Sequence, residues 1–423
     1  MTAEQALAAV GGLPALEHVA PYWDESMAAM PSGGVPFLDS EAVRSNREWC
    51  GFPAAVDTVL LATAARIREN PALSALIWHC AWRVYDAPEA GSVGKWPLFP
   101  QTLGADGGVF YLLVGLSIVP RLRAHHGRLG IPEDVTRETC QQPRCFCGNY
   151  DRQHPGALGI PLNQLGWLRH YTREVYLRLG RFEYWLRPFA GAVQVFRHCD
   201  TGEVIALAEN GARFDRDGYQ PRDADPATLA AGWQSVLTLS RGSVTGTPLA
   251  PWGKALRQSV TLSRTDWKRI LGRGDWILQI HIPAGGAMTR DDVNHSLRRA
   301  AEFFASHFPD KPVATIQCTG SWIYNPDLER FLPADANLVL HLRDVYLYPI
   351  ASGGTDGLWF IFFQDPFDPA SAPRDTRLQR AVLDWLGAGN TWRAGGMFVL
   401  PEHVRRLGTT SYRDRWPPQG LGL

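Results

Sequence analysis

Residues 276–308 read WILQIHIP, AGGAM, TRDDVNHSLRRAAEFFASHF. The first part is a short apolar run of strand length. The second is broken by paired glycines, and the third is apolar at helical spacing: Val293, Leu297, Ala300, Phe304 and Phe308 share one stripe, with Arg290, Asn294, Arg298 and Glu302 opposite. Thr289 with Asp292 three residues on has the form of a capping box, Asp replacing the usual Glu or Gln. A strand that feeds a helix N-terminus through glycines is a general device for holding a phosphate. The first-turn amides lack internal partners and the helix dipole favours an anion there.

Outward from this unit the pattern continues as α and β segments. A strand is predicted at 312–318, a short helix within 325–331, strands at 337–348 and 358–363, and a helix at 376–386. Upstream lie strand-like runs at 182–186, 192–198 and 203–208, the last two joined by Cys-Asp-Thr-Gly as a hairpin. A polar stretch, 215–225, follows them. The N-terminal part is different in character: helices are predicted over 53–70, 72–85, 108–129 and 132–141. The segment 142–161, with three Pro, three Gly and the Cys145-Phe146-Cys147 triplet, is expected to be an irregular junction. A strong helix is expected at 163–179, ended by Gly180. The fold class expected is α+β, with a mostly helical domain over 1–160, a mixed sheet flanked by helices over 161–400, and a polar tail over 401–423 that frays.

Composition bounds the function. The 423 residues are 45% hydrophobic and 20% charged, enough for a large core and more than one domain. Basic and acidic residues balance at 42 each, which removes the electrostatic footprint of a nucleic-acid binder. Lys95, Lys254, Lys268 and Lys311 are the only lysines; with abundant Ala, Gly and Pro, this suggests a GC-rich bacterial genome. The N-terminal residues lack a basic region, which argues against a signal peptide. The apolar run 108–119 falls short of the about 20 residues that span a bilayer, so no membrane association and a cytoplasmic location are expected. Seven irregularly spaced cysteines argue against a disulfide framework, and Cys140, Cys145 and Cys147 lack paired metal-ligand spacing, so no metal is expected. Sixteen scattered tryptophans suit core packing better than sugar stacking.

The phrases GDWILQIHIPAGGAMTRDDVNHSL, FFASHFPD, CTGSWIYNPDLERFLPADANLVLHLR and VPRLRAHHGRLGIPEDV resemble bacterial acyltransferase domain-containing proteins, which pair a helical N-terminal domain with a GNAT-like C-terminal domain. The likeness runs over about residues 40 to 400, with HIPAGG and SW-x-x-x-P its most specific parts. It implies an acyl-CoA-dependent N-acyltransferase, with coenzyme A or acyl-CoA as co-substrate and the amine of a small molecule or peptide as acceptor. The chain departs from the superfamily's pyrophosphate loop, placing Ile282 where an Arg or Gln usually stands. A catalytically degenerate GNAT-fold binding or regulatory protein is therefore the alternative reading.

The resemblance also proposes site residues. Gly285, Gly286, Ala287 and Met288 would line a diphosphate, and pantetheine would lie against diverging strands at 276–282 and 312–318. His281, ending the first of these, is the candidate base; it serves equally as a hydrogen-bonded corner of the loop. Tyr324 is the candidate acid for the departing thiolate, or an amphipathic residue at a helix start. Ser321 and Asn325 either reach the pantetheine or cap the short helix. Cys318 suits a core thiol better than a nucleophile. Glu183 is either a base with raised pKa or a residue of an exposed strand face.

Overall fold

The computed structural model describes residues 1–89, 93–222 and 226–423. The end of the polar stretch expected at 215–225 lies outside the described residues. The chain forms two compact units, Met1–Leu179 with Ile282–Gly286, and Gly180–His281 with Ala287–Leu423. The composition-based boundary at 160 falls inside the first.

The first unit is helical. Helices α1 (Asp57–Glu69), α2 (Pro71–Tyr85), α3 (Gly107–Leu116) and α4 (Ile118–Arg128) lie in three of the four predicted helical segments, and the fourth, 132–141, holds the short helix Glu133–Thr139. Asn70 caps α2, its side chain accepting from the amides of Ala72 and Leu73, and proline at the first helical position loses no needed donor. The helical run Pro100–Arg128 is longer than the apolar stretch alone suggested, long and apolar enough to cross a membrane; 78% of its most apolar window is buried within the protein, as in a core helix.

Two expectations fail here. Residues 142–161 are no irregular junction: α5 (Gln142–Gln153) occupies most of them. Pro143 is harmless in its first turn, and Phe146, Cys147 and Tyr150 form a buried face. The expected helix over 163–179 is instead two short helical pieces, Leu162–Leu165 and Arg169–Arg173, broken at the extended Glu174, and then an extended segment, Tyr176–Leu179. The apolar stripe there continues into a run buried on both sides, Tyr176, Leu177 and Leu179, which helical periodicity cannot distinguish from a core strand.

The second unit carries β1 (Phe182–Pro188), β2 (Val193–His198), β3 (Val204–Ala208), β4 (Pro248–Ala250), β5 (Lys254–Ala255), β6 (Trp267–Leu271), β7 (Trp276–His281), β8 (Thr315–Ser321), β9 (Tyr346–Pro349) and β10 (Gly395–Val399). Its main sheet runs β1-β7-β8-β10-β9, and a second runs β5-β4-β3-β2-β6. The hairpin predicted at Cys-Asp-Thr-Gly is present: β2 and β3 pair antiparallel. The crossover helix α6 (Arg290–His307) links the parallel pair β7 and β8. Its predicted stripe is buried throughout, at about 1.5–3 kcal/mol for each large apolar side chain. Thr289 caps it by accepting from the Asp292 amide.

The faces of the main sheet are distinct. Tyr184 on one face meets α6, its hydroxyl 2.8 Å from that of Ser296. On the other, Ile277, Phe398 and Tyr346 form one core with Val195, Ala206 and Leu249 of the second sheet. The Tyr346 hydroxyl donates to the Leu249 carbonyl and accepts from the Ala206 amide, tying the sheets together.

Residues 337–348, expected as one strand, divide into helix α7 (Asn337–Asp344) and β9. Leu338, Leu340 and Leu342 alternate like a strand, yet the fully buried pair is Val339 and Leu342, at helical spacing. The aromatic run at 358–363 suits a strand by propensity but forms a helical turn, Trp359–Phe362, closed by Phe363 at φ 54°. Helix α8 (Arg377–Gly387) follows as expected, capped by a full Thr376–Gln379 box. Part of the tail packs onto the core: Tyr412 is 6% exposed, and its hydroxyl accepts from the Leu400 amide.

Candidate active site

The register of β1, β7 and β8 builds the site. Antiparallel pairing sets His281 opposite Glu183 and Gln279 opposite Trp185. Parallel pairing sets Gln279 opposite Gln317 and stops there. Side chains opposite one another share a face, so Glu183, His281, Gln279 and Gln317 lie on the same face of the sheet. Beyond Gln279 and Gln317 the inner strands part. β7 stays paired to β1 as far as His281, and β8 stays with β10 through Cys318 and then, across a bulge, at Ser321. The parallel strands are thus held on their outer sides and open on their inner ones.

Glu183 is fully buried, not on an exposed strand face, and its Oε2 lies 2.7 Å from His281 Nδ1. A carboxylate removed from water is costly unless paired and hydrogen-bonded. The pairing makes Nδ1 the proton-bearing nitrogen and Nε2 the basic one, which is how a carboxylate prepares an imidazole for proton transfer. The His281 side chain remains 33% exposed at the mouth of the strand opening.

Tyr324 ends a short helical turn, Trp322–Tyr324, that Ser321 caps by accepting from the Ile323 amide at 3.2 Å. Tyr324 is fully buried, with its hydroxyl 3.3 Å from His341 Nε2. Burial pushes the phenol well above its ordinary pKa and lowers His341 to about 4, so both are neutral at physiological pH. Asn325, also fully buried, accepts from the Asp327 amide through Oδ1 at 3.0 Å. Ser321 thus caps the turn that follows it, whereas Asn325 closes a local turn onto Asp327 and caps no helix: Leu328–Phe331 starts at Asp327 with no side-chain cap bond. Burial raises the Cys318 thiol to about 11, which makes it a poor nucleophile.

Gly285 and Gly286 take φ of 94° and 74°, a region that side-chain-bearing residues rarely adopt. Both glycines and Ala287 are exposed, whereas Met288 is buried. The first turn of α6 carries Asp291 and Asp292, and Arg290 is turned to Asp344 at 3.2 Å. Those carboxylates oppose an anion at that helix end.

One polar residue of the opening carried no sequence motif. Gln317 is fully buried, and its Nε2 has no hydrogen-bond partner among the described residues. An orphaned buried donor beside a strand opening is the kind of group that an amide-bearing chain such as pantetheine would satisfy, so the opening fits coenzyme A. A separate cavity of about 300 Å³ lies between Tyr219, Tyr348, Trp392 and Arg393; Pro326 of the SW-x-x-x-P phrase lines it, and none of the candidate site residues does. Among the described residues, no group of three or more His, Cys, Asp or Glu side chains is placed to hold a metal ion.

Two family models match the chain: an N-acyltransferase N-terminal domain over residues 43–173 and a GNAT-like C-terminal domain over 176–398. No curated protein matches. Among solved structures, an acyltransferase in complex with decanoyl-CoA and teicoplanin superposes with a TM-score of 0.62 at 22% identity, covering 95% of this chain and 99% of its own. An acyltransferase with CoA and 10C-teicoplanin gives the same values. One with decanoyl-CoA alone gives 0.57 at 21%, with the same coverage.

Proposed function

Because the chain belongs to the family with an N-acyltransferase N-terminal domain and a GNAT-like C-terminal domain, we propose that it transfers an acyl group from acyl-CoA to an amine of a small-molecule or peptide acceptor. The observation that carries this reading is the Glu183–His281 pair at the point where β7 and β8 part. The thioester, when bound, supplies an activated acyl carbon. His281 Nε2 takes one proton from the acceptor's ammonium, which frees the amine lone pair to attack, while Glu183 holds the ring and stabilises its positive form. The C–N bond forms, the C–S bond breaks, and the thiolate receives a proton, while the nitrogen's second proton is released and restores the group that protonates the sulfur. Tyr324 is the proposed source of the thiolate's proton, which requires the sulfur to reach a hydroxyl that is buried in the free protein. The turn at Gly285–Gly286, with Ala287 and Met288 following, is the proposed diphosphate contact. The complexes of similar acyltransferases with decanoyl-CoA and teicoplanin support including a long acyl chain and teicoplanin among the compounds tried.

A second reading, a GNAT-fold binding protein without turnover, is favoured by Ile282 in the loop and by Asp291 and Asp292 at the helix start. Thermal shift followed by thiol release separates the two. Coenzyme A at about 100-fold its dissociation constant stabilises the enzyme of the first reading by about 2.7 kcal/mol, and the degenerate loop of the second reduces or abolishes that shift at the same concentration. Only the enzyme releases thiol from decanoyl-CoA when amines are added. No shift with any coenzyme A species defeats the acyl-CoA reading and leaves the second.

A further inference from the structure

We propose that Gln317 is a binding residue for the pantetheine arm, with its side-chain N–H donating to an amide or thioester carbonyl of the bound acyl-CoA. This rests on the acyl-CoA reading above and adds a residue to it.

Position comes first. Gln317 and Gln279 are the last residues that β7 and β8 pair, so Gln317 stands where the opening begins. It shares a sheet face with His281 and Glu183, about two residues along the strands from that pair. A chain threaded into the opening with its thioester near His281 must pass this register.

Energetics come second. Gln317 is fully buried, between Thr315 on its own strand and Phe398 on β10. The Thr315 hydroxyl lies 3.4 Å from Oε1 and holds that end of the amide. Nε2 has no partner among the described residues. A buried donor left unsatisfied destabilises the native state, a cost that a Leu or Met in this position would not incur. Ile277 and Phe398, which share its face, are apolar and buried, so an apolar residue would suit the core. A polar group kept at that cost is explained by a ligand that pairs with it.

The test compares wild type with Gln317→Met, which keeps the length and removes the donor. Calorimetric titrations use coenzyme A and, separately, its pantetheine-free nucleotide half. The variant should melt no lower than wild type, bind coenzyme A about tenfold more weakly, the factor that 1.4 kcal/mol gives, and bind the nucleotide half unchanged. Gln317→Val, no larger than Gln and suited to a strand, carries the same comparison should the Met variant fold poorly. Coenzyme A affinity equal to wild type overturns the inference. So does an equal loss for both ligands, or a melting temperature well below wild type in both variants, which would mark a structural amide. Wild type that binds neither ligand defeats the acyl-CoA reading itself.

Discussion

Replacing Glu183 by Gln should keep the shape of the site and remove its charge. Gln retains an oxygen that accepts from His281 Nδ1, so the ring stays in place and the loss measures electrostatic support for the protonated imidazole. Charge centres about 4 Å apart at an effective dielectric of about 20 interact by about 4 kcal/mol. His281 is 33% exposed, so solvent screening reduces this, and about 3 kcal/mol is the upper end expected. At about 1.4 kcal/mol per decade, turnover should fall about a hundredfold. The fold should survive the exchange, because a buried carboxylate is replaced by a neutral amide of equal volume, at most at the cost of one buried amide N–H. The assay is thiol release from decanoyl-CoA with whichever amine supports turnover. A double-mutant cycle with His281→Gln completes it. His281→Gln alone should cost about 10²–10⁴, and adding Glu183→Gln to it should cost almost nothing more, since the carboxylate acts only through the ring. Full activity in Glu183→Gln, or additive losses in the double variant, would refute the pairing as the source of the base.

Other consequences are open to measurement. Tyr324→Phe should lose about 1 kcal/mol with its hydrogen bond to His341 and lower kcat at least about tenfold; unchanged turnover removes Tyr324 from the mechanism. Gly286→Val meets no neighbouring atom but is forced to a φ of 74°, costing about 1–2 kcal/mol of stability; coenzyme A affinity should fall by more than this, and equal losses count against the phosphate contact. Four histidines are held neutral by burial: His79, His341 and His403 at about 4, His126 at about 3. Their folded values lie below the unfolded value of about 6.5, so the unfolded chain takes up protons first as pH falls. Their contribution is intact above about pH 6.5 and is lost toward pH 4; for His341 about 2 kcal/mol is gone by pH 5. A urea midpoint that stays flat between pH 6.5 and 5 would contradict this. Tyr346→Phe should cost about 1–3 kcal/mol, since it strands a buried amide and carbonyl at the junction of the two sheets.

What the sequence disclosed follows from which signals are local. The strand, glycine turn and capped helix of 276–308 depend on spacing alone, and they formed as expected. The hairpin at 199–202 is likewise a property of its own residues. Where burial is two-sided, periodicity lost its meaning, which is why 163–179 ends extended and 337–344 is helical. Strand β10 went unnoticed because GGMFV is short and glycine-rich; its place between β8 and β9 depends on tertiary pairing, and an added Cβ at Gly395 would lie 2.0 Å from the Tyr324 carbonyl oxygen. His281 was visible as a residue at a strand end, whereas its pairing with Glu183, 98 residues away, required the register of β1 against β7. Gln317 has no motif at all, because an orphaned amide is defined by what surrounds it.

A crystal structure with decanoyl-CoA bound measures the main claim directly. The thioester should lie between β7 and β8 beyond Gln279 and Gln317, with its carbonyl carbon beside His281 and the diphosphate against the turn at Gly285 and Gly286. Density for the ligand elsewhere, with side chains closing the gap between those strands, would contradict it.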